Sequence, residues 1–183
     1  MKKTGYFSHP DCRKHEMGAG HPECPERLDA IEDRLLITGV GDALDRREAP
    51  QAPLTDLELA HGRMHIAAMR GLTESLTDDM ASGGPQHAQI DPDTCINVHT
   101  WNAALRAAGA ALAATDAVMA GELENAFCAV RPPGHHACKD KAMGFGVAAQ
   151  PLFDHFAGWV ALEPEIARAC RPQRLARPAH NIA

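Results

Sequence analysis

Three features of this 183-residue sequence predict an α/β fold, a parallel sheet flanked by helices. Apolar residues switch between strand-like runs and the i, i+3, i+4 spacing of helices, the alternation expected when strands and helices follow one another along the chain. Residues 126–130 (Ala-Phe-Cys-Ala-Val) are apolar without a break, which suits a strand covered on both faces, as in a parallel sheet. Aromatic residues make up only 4% of the chain and alanine supplies much of its apolar content, favouring closely packed helices over a β-rich sandwich. The length fits one domain able to bury a core.

Taken in order, residues 4–8 form a first short strand, followed by a loop over 9–21 rich in glycine, histidine and proline. Pro25 suits the first turn of a helix, whose buried face is Leu28, Ile31, Leu35 and Leu36 and whose end lies near Gly39. Thr55 and Glu58 have capping-box spacing for a short helix, because each side chain can satisfy the other's free N–H. A second helix runs over about 64–76 with Ile66, Met69, Leu72 and Leu76 on one side, and Ser82, Gly83, Gly84 and Pro85 mark the loop after it. The strongest helix begins near His99 or Thr100 and reaches about Met119. Trp101, Leu105, Ala108, Leu112, Thr115 and Met119 recur at helical spacing as a core stripe, and Gly121 supplies a stop. The strand over 126–130 follows.

Charge and cysteine usage narrow the function classes. The chain carries 24 acidic and 18 basic residues, for a net charge of −6, which argues against electrostatic binding of nucleic acid while leaving room for a cationic substrate. Six cysteines include no Cys-x-x-Cys pair, which speaks against a structural zinc module. The first residues carry charge with no apolar segment after them, and no stretch approaches a membrane span. The expectation is a cytoplasmic protein with reduced thiols that engages neither membrane nor nucleic acid.

The most informative run is Arg131-Pro132-Pro133-Gly134-His135-His136-Ala137, directly after the apolar strand. Two prolines fix φ and a glycine permits a tight turn, so the loop presents two imidazoles in a defined way. Ligands of parallel α/β sheets bind beyond the C-terminal strand ends, where His135 and His136 fall. Two neighbouring histidines in slightly different surroundings can divide the roles of general base and acid. The alternative is a turn with two solvated histidines.

With its flanks, this run resembles the zinc-dependent histone deacetylase superfamily, in particular its class II-like and acetylpolyamine amidohydrolase branches. The matching residues, in order, are Gly20-His21-Pro22-Glu23, Pro25-Glu26-Arg27-Leu28, Ile90-Asp91-Pro92-Asp93-Thr94, Ala104-Leu105-Arg106-Ala107-Ala108-Gly109, the His135-His136 run, and Ala142-Met143-Gly144-Phe145. The resemblance implies a partial arginase/deacetylase-like fold, incomplete at the C-terminus, with residues 1–145 as the N-terminal part of the domain and 146–183 as a divergent, irregular tail.

It further implies hydrolysis of an acetylated amine, acetyl-lysine or acetylpolyamine, with His135 and His136 as the catalytic pair. By the same resemblance Asp93 is the rim carboxylate that grips substrate, with Asp91 as the lesser candidate. Gly144 and Phe145 are the tunnel wall, and Arg27 lines an inner cavity. Open alternatives are a turn or N-cap aspartate for Asp93, ordinary core for Phe145, and a helix-surface ion pair of Arg27 with Glu23 or Asp33.

The family holds zinc with an Asp-x-His pair and a later aspartate, all downstream of the histidines. Here no Asp-x-His follows residue 136; Asp154 and His155 are adjacent, and on a strand adjacent side chains face opposite ways. The carbonyl-polarising tyrosine has no counterpart, since Tyr6 is the only tyrosine. The expectation is therefore a truncated chain with no metal ligands of its own, inactive alone. The alternatives are a non-catalytic binding module or one half of a split enzyme. The tail is interrupted by Pro151, Pro164, Pro172 and Pro178 and repeats Arg168, Arg171, Arg174 and Arg177, with a helix of modest length possible over 164–170. It reads either as the product of a gene lesion or as a selected basic segment. A sheet without its later strands would leave an unpaired edge, predicting oligomerisation or aggregation.

Overall fold

The computed structural model of the chain describes residues 3–84, 86–134 and 137–142 and the backbone of 159–160. His135, His136, Gly144, Phe145 and nearly all of the 146–183 tail lie outside the described residues.

Strand β1 (Lys3–Ser8) lies inside a four-stranded sheet. It pairs in parallel with β2 (Leu44–Glu48) on one side and with β5 (Leu123–Ala129) on the other. Short β6 (Trp159–Val160) adds antiparallel to β5, opposite Ala126 and Phe127. Part of the β5 edge that the sequence leaves unpaired is thus covered by two residues of the tail. Successive side chains of β1 point to opposite faces, so Tyr6 and Phe7 enter different cores. Tyr6 packs with Cys12 of the short helix α1 (Asp11–Lys14) and with Leu28 and Ala129 beneath helix α2 (Glu26–Thr38). Phe7 packs with Ala110, Ala114, Ala117, Leu123 and Ala126 against helix α5 (Thr100–Met119). The sheet is therefore covered on both faces.

Helix α5 matches its expected span, but more than one stripe of it is buried: Ala103, Ala104, Ala107, Ala108, Ala110, Ala111, Ala114 and Ala117 are all sequestered. Its alanine surface lets the sheet approach on one side, while the short α3 (Leu54–Leu57) and the long α4 (Arg63–Ala81) approach on another through Leu57, Ile66, Leu105 and Leu112. The closest approach is at Gly109, where a Cβ would overlap the Pro50 carbonyl oxygen and stand 2.8 Å from the Ala52 nitrogen. Beyond α4, Leu76 and Ile96 join it to a hairpin of β3 (His87–Asp91) and β4 (Thr94–Asn97).

Several local expectations change. Helix α2 ends where predicted, with Gly39 at φ 68° and its N–H on the Leu36 carbonyl. Leu36, however, is 80% exposed. At 100° per residue it stands about 80° round the helix from Leu28, beyond the width of the single face that meets the sheet. The capping box does not form: extended Pro53 is the N-cap, without a side-chain cap bond, so Thr55 falls inside the first turn. Helix α4 runs past Leu76 to Ala81. Strands β2, β3 and β4 carry no apolar run; β2 reads Leu-Asp-Arg-Arg-Glu and owes its conformation to pairing with β1.

Candidate active site

Strand β5 delivers the chain into the proline-glycine run, and Arg131 anchors that entry. Its side chain is 1% exposed and forms a two-pronged ion pair with Glu23, Nε donating to Oε1 and Nη2 to Oε2, each at 2.6 Å. Nη1 donates to the carbonyls of Cys12 (3.1 Å) and His15 (2.9 Å), and Nη2 also reaches the Glu23 carbonyl at 3.4 Å. The planar guanidinium matches a carboxylate with two parallel bonds, a geometry that lysine cannot reproduce. One side chain thereby ties the start of the histidine run to the loop over 12–23.

That loop has its own buried polar centre. His15 is fully buried, with Nδ1 2.9 Å from the Thr100 hydroxyl and Nε2 3.5 Å from Glu23 Oε2. The hydroxyl accepts the Asn97 N–H at 2.8 Å and has one hydrogen for two acceptors, Asn97 Oδ1 at 3.0 Å and His15 Nδ1. Directing it to His15 leaves Nε2–H facing the Glu23 carboxylate. The opposite tautomer would set a bare lone pair against that negative charge, so the first is favoured. Asn97 Nδ2 completes the link by donating to the Lys14 carbonyl at 2.8 Å. Burial, then the positive charge of Arg131 and the neighbouring His21 and His87, push the His15 pKa down to about 3, and the ring is neutral at pH 7.

The far flank of the histidine pair is held as well. Ala137 donates its N–H to the Gly134 carbonyl at 3.2 Å, and Cys138 and Lys141 close a tight turn with N–H to O distances of 2.8 and 3.4 Å. The Lys139 carbonyl accepts the Gly62 N–H at 3.0 Å and lies 3.1 Å from His61 Nδ1, which therefore donates to it. His61 and His65, both buried, have ring centres 4.9 Å apart at the start of α4. Burial lowers the His61 pKa.

The remaining sequence-predicted residues take separate places. Asp93 is exposed in the β3–β4 turn, and its own N–H is held by Asp91 Oδ1 at 2.8 Å, so Asp91 shapes the turn while Asp93 projects from it. Arg27 lies on the surface of α2 with its side chain 55% exposed and 3.4 Å from Glu23 Oε1, the helix-surface pairing that stood as its alternative. His135, His136, Gly144 and Phe145 lie outside the described residues. Sequence reasoning missed the Glu23–Arg131 pair and the His15–Thr100–Asn97 link. Both join residues far apart in the chain, and the visible cue was only that Glu23 and Arg131 each sit in a matched motif. Among the described residues no three His, Cys, Asp or Glu side chains are placed to hold one metal ion.

The sequence pattern of the histone deacetylase domain matches residues 21–152, more than half of the chain. The chain belongs to the histone deacetylase family. Its relatives within that family include a histone deacetylase-like amidohydrolase of Pseudomonas aeruginosa, 37% identical over 127 residues that make up 69% of this chain and 31% of that protein. A probable deacetylase of Archaeoglobus fulgidus is 36% identical over 144 residues, 78% of this chain and 37% of the relative. The human polyamine deacetylase HDAC10 is 32% identical over 148 residues, 79% of this chain and 22% of that protein. The crystal structure of the HDA15 HD domain superimposes with a TM-score of 0.71 at 27% identity, covering 92% of this chain and 43% of that one. The fold is accordingly that of a histone deacetylase domain, and this family member spans less than half of each of these proteins. The matched span runs past Phe145, the last of the sequence motifs, to residue 152. No helix among the described residues is long and apolar enough to cross a membrane.

Proposed function

We propose that this chain supplies the acid/base and substrate-gripping part of a deacetylase domain that hydrolyses an acetylated amine, acetyl-lysine or acetylpolyamine, to free amine and acetate, and that alone it is catalytically silent. The observation that carries the reading is the family's histidine run, entered through a buried Glu23–Arg131 pair and left through a turn fastened to Gly62 and His61. A loop held on both flanks suits a pair of imidazoles that must transfer protons at fixed positions. In this assignment one of His135 and His136 acts as general base and the other as electrostatic partner or proton donor to the leaving amine. Asp93 grips the substrate backbone or cationic chain, and Gly144 and Phe145 wall the tunnel.

The family reaction is zinc-dependent, the ion serving to acidify a water molecule. The donor set here does not fit that ion: the described residues offer no convergent group of three ligands, and no Asp-x-His follows residue 136. The residues of this chain therefore bind, orient and exchange protons. The proposed division of the chain places the family-like part at residues 1–145 and the divergent tail at 146–183, in a reducing, cytoplasmic setting that suits its free thiols.

Metal content and acetate release on an acetyl-lysine substrate test the proposal, measured for the purified chain alone and with a separately made polypeptide bearing the rest of a deacetylase domain. The chain alone is expected to hold no stoichiometric zinc and to release no acetate. One zinc per molecule with turnover by the chain alone would overturn the silent reading. Turnover only on adding the second polypeptide would mark it as one half of a split enzyme.

A further inference from the structure

Helix α2 buries one face through Leu28, with Ile31 and Leu35 packed beside it. Away from that face it presents an apolar patch: Leu36 is 80% exposed, Ile37 75%, and Val40, just past the Gly39 stop, 50%. Exposed apolar side chains are ordinary when scattered singly, whereas three within five positions mark a contact surface. At 100° per residue Ile37 stands about 180° round the helix from Leu28, and Ala30, seven residues earlier, stands about 20° from Ile37. The charges on this outer face are sorted by sign. Measured from Ile37, Glu26, Asp33 and Asp29 lie about 20°, 40° and 80° to one side, and Arg34 and Arg27 about 60° and 80° to the other. Asp29 is engaged by Arg13, and Arg27 reaches Glu23 at 3.4 Å, whereas Asp33 and Arg34 have no ion pair among the described residues.

We propose that this face pairs two copies of the chain, α2 lying parallel to α2 about a two-fold axis. The sorting of charge selects both the occupant and the orientation. When two parallel helices are related by a two-fold axis, each flank meets the opposite flank of the other copy. Asp33 then faces the partner's Arg34, Arg34 faces the partner's Asp33, and Glu26 and Arg27 repeat the exchange seven residues earlier. Ile37 and Ala30 fall on the axis and meet their own copies, the small alanine allowing the backbones to approach, while Leu36 and Val40 border the seam at its C-terminal end. An antiparallel pair would set acid against acid on one flank and base against base on the other. A partner of different sequence would need this same division of sign across one apolar seam, which a second copy already has. The contact is one helix wide and belongs with small, weak interfaces, so it should form at micromolar concentrations. It is separate from the histidine run and from the β5 edge.

Sedimentation equilibrium on the full chain tests the pairing. The parent is expected to dimerise with a Kd of about 100 µM or below. Ile37→Glu sets two carboxylates against each other on the axis and should weaken the dimer at least about tenfold. Asp33→Arg turns two ion pairs into two like-charge contacts and should also weaken it about tenfold; adding Arg34→Asp rebuilds both pairs with their signs exchanged and should bring Kd back to within about threefold of the parent. All three positions are exposed, so the variants should keep the fold, which far-UV circular dichroism checks. A parent that stays monomeric at about 300 µM would overturn the proposal. So would self-association indifferent to Ile37→Glu, which would place the contact on another surface such as the β5 edge. A double variant no better than Asp33→Arg alone would overturn the parallel two-fold arrangement and the proposal with it.

Discussion

Replacing Arg131 by methionine removes a guanidinium that is 1% exposed and engages Glu23, itself 3% exposed, through two 2.6 Å bonds. The carboxylate would keep Arg27 at 3.4 Å, a half-exposed partner, and the uncharged His15 ring at 3.5 Å, and the Cys12 and His15 carbonyls would each lose a donor. Breaking one side of a buried ion pair costs about 3–5 kcal/mol, because the remaining charge stays desolvated. Against a domain stability of about 5–15 kcal/mol, that is enough to unfold a marginal protein. Arg131→Lys retains charge but not the planar fork, and about 2 kcal/mol should be lost. Glu23→Gln combined with Arg131→Met removes the stranded charge and should recover part of the loss. Urea denaturation of the parent, Arg131→Met, Glu23→Gln alone and the double variant, followed by far-UV circular dichroism, supplies the cycle. A coupling energy of about 2 kcal/mol or more is expected. An Arg131→Met variant within about 0.5 kcal/mol of the parent would refute the claim that this pair anchors the histidine run.

Two further outcomes follow from the packing and the buried polar centre. Gly109→Ala should cost about 1–3 kcal/mol or more in thermal or urea unfolding, because its methyl meets the backbone of Pro50 and Ala52 rather than a yielding side chain; an unchanged midpoint would mean that residues 50–52 do not press on α5. Stability should also fall with acid because of His15. Its folded pKa near 3 lies below an unfolded value of about 6.5, so the unfolded chain takes the proton first. The contribution is complete above about pH 6.5 and is lost as pH falls from there toward 3, at up to about 1.4 kcal/mol per pH unit. His61, also lowered, acts in the same sense. Denaturation at pH 7, 6 and 5 should give a shallower slope for His15→Gln than for the parent, and equal slopes would exclude the buried neutral ring as the source.

Local chemistry in the sequence was enough for the elements whose burial follows from composition: β1, β5, α2 with its glycine stop, and above all α5, whose alanines favour the helix and allow close approach on several sides. The order of the motifs was likewise enough for the family, because they lie within contiguous segments. Tertiary structure alone decided the rest. Strand β2 is largely charged and extends only because β1 offers it a parallel edge, and two tail residues become a strand only beside β5. The partner of Arg131 was equally hidden. Glu23 has Arg27 one helical turn away, where a periodic reading looks for it, yet it spends its two strongest bonds on a residue far along the chain. Sequence spacing reports which side chains share a helix or strand face, whereas a buried charge takes the partner that folding brings to it, and only the assembled sheet puts β5 and the loop over 12–23 side by side.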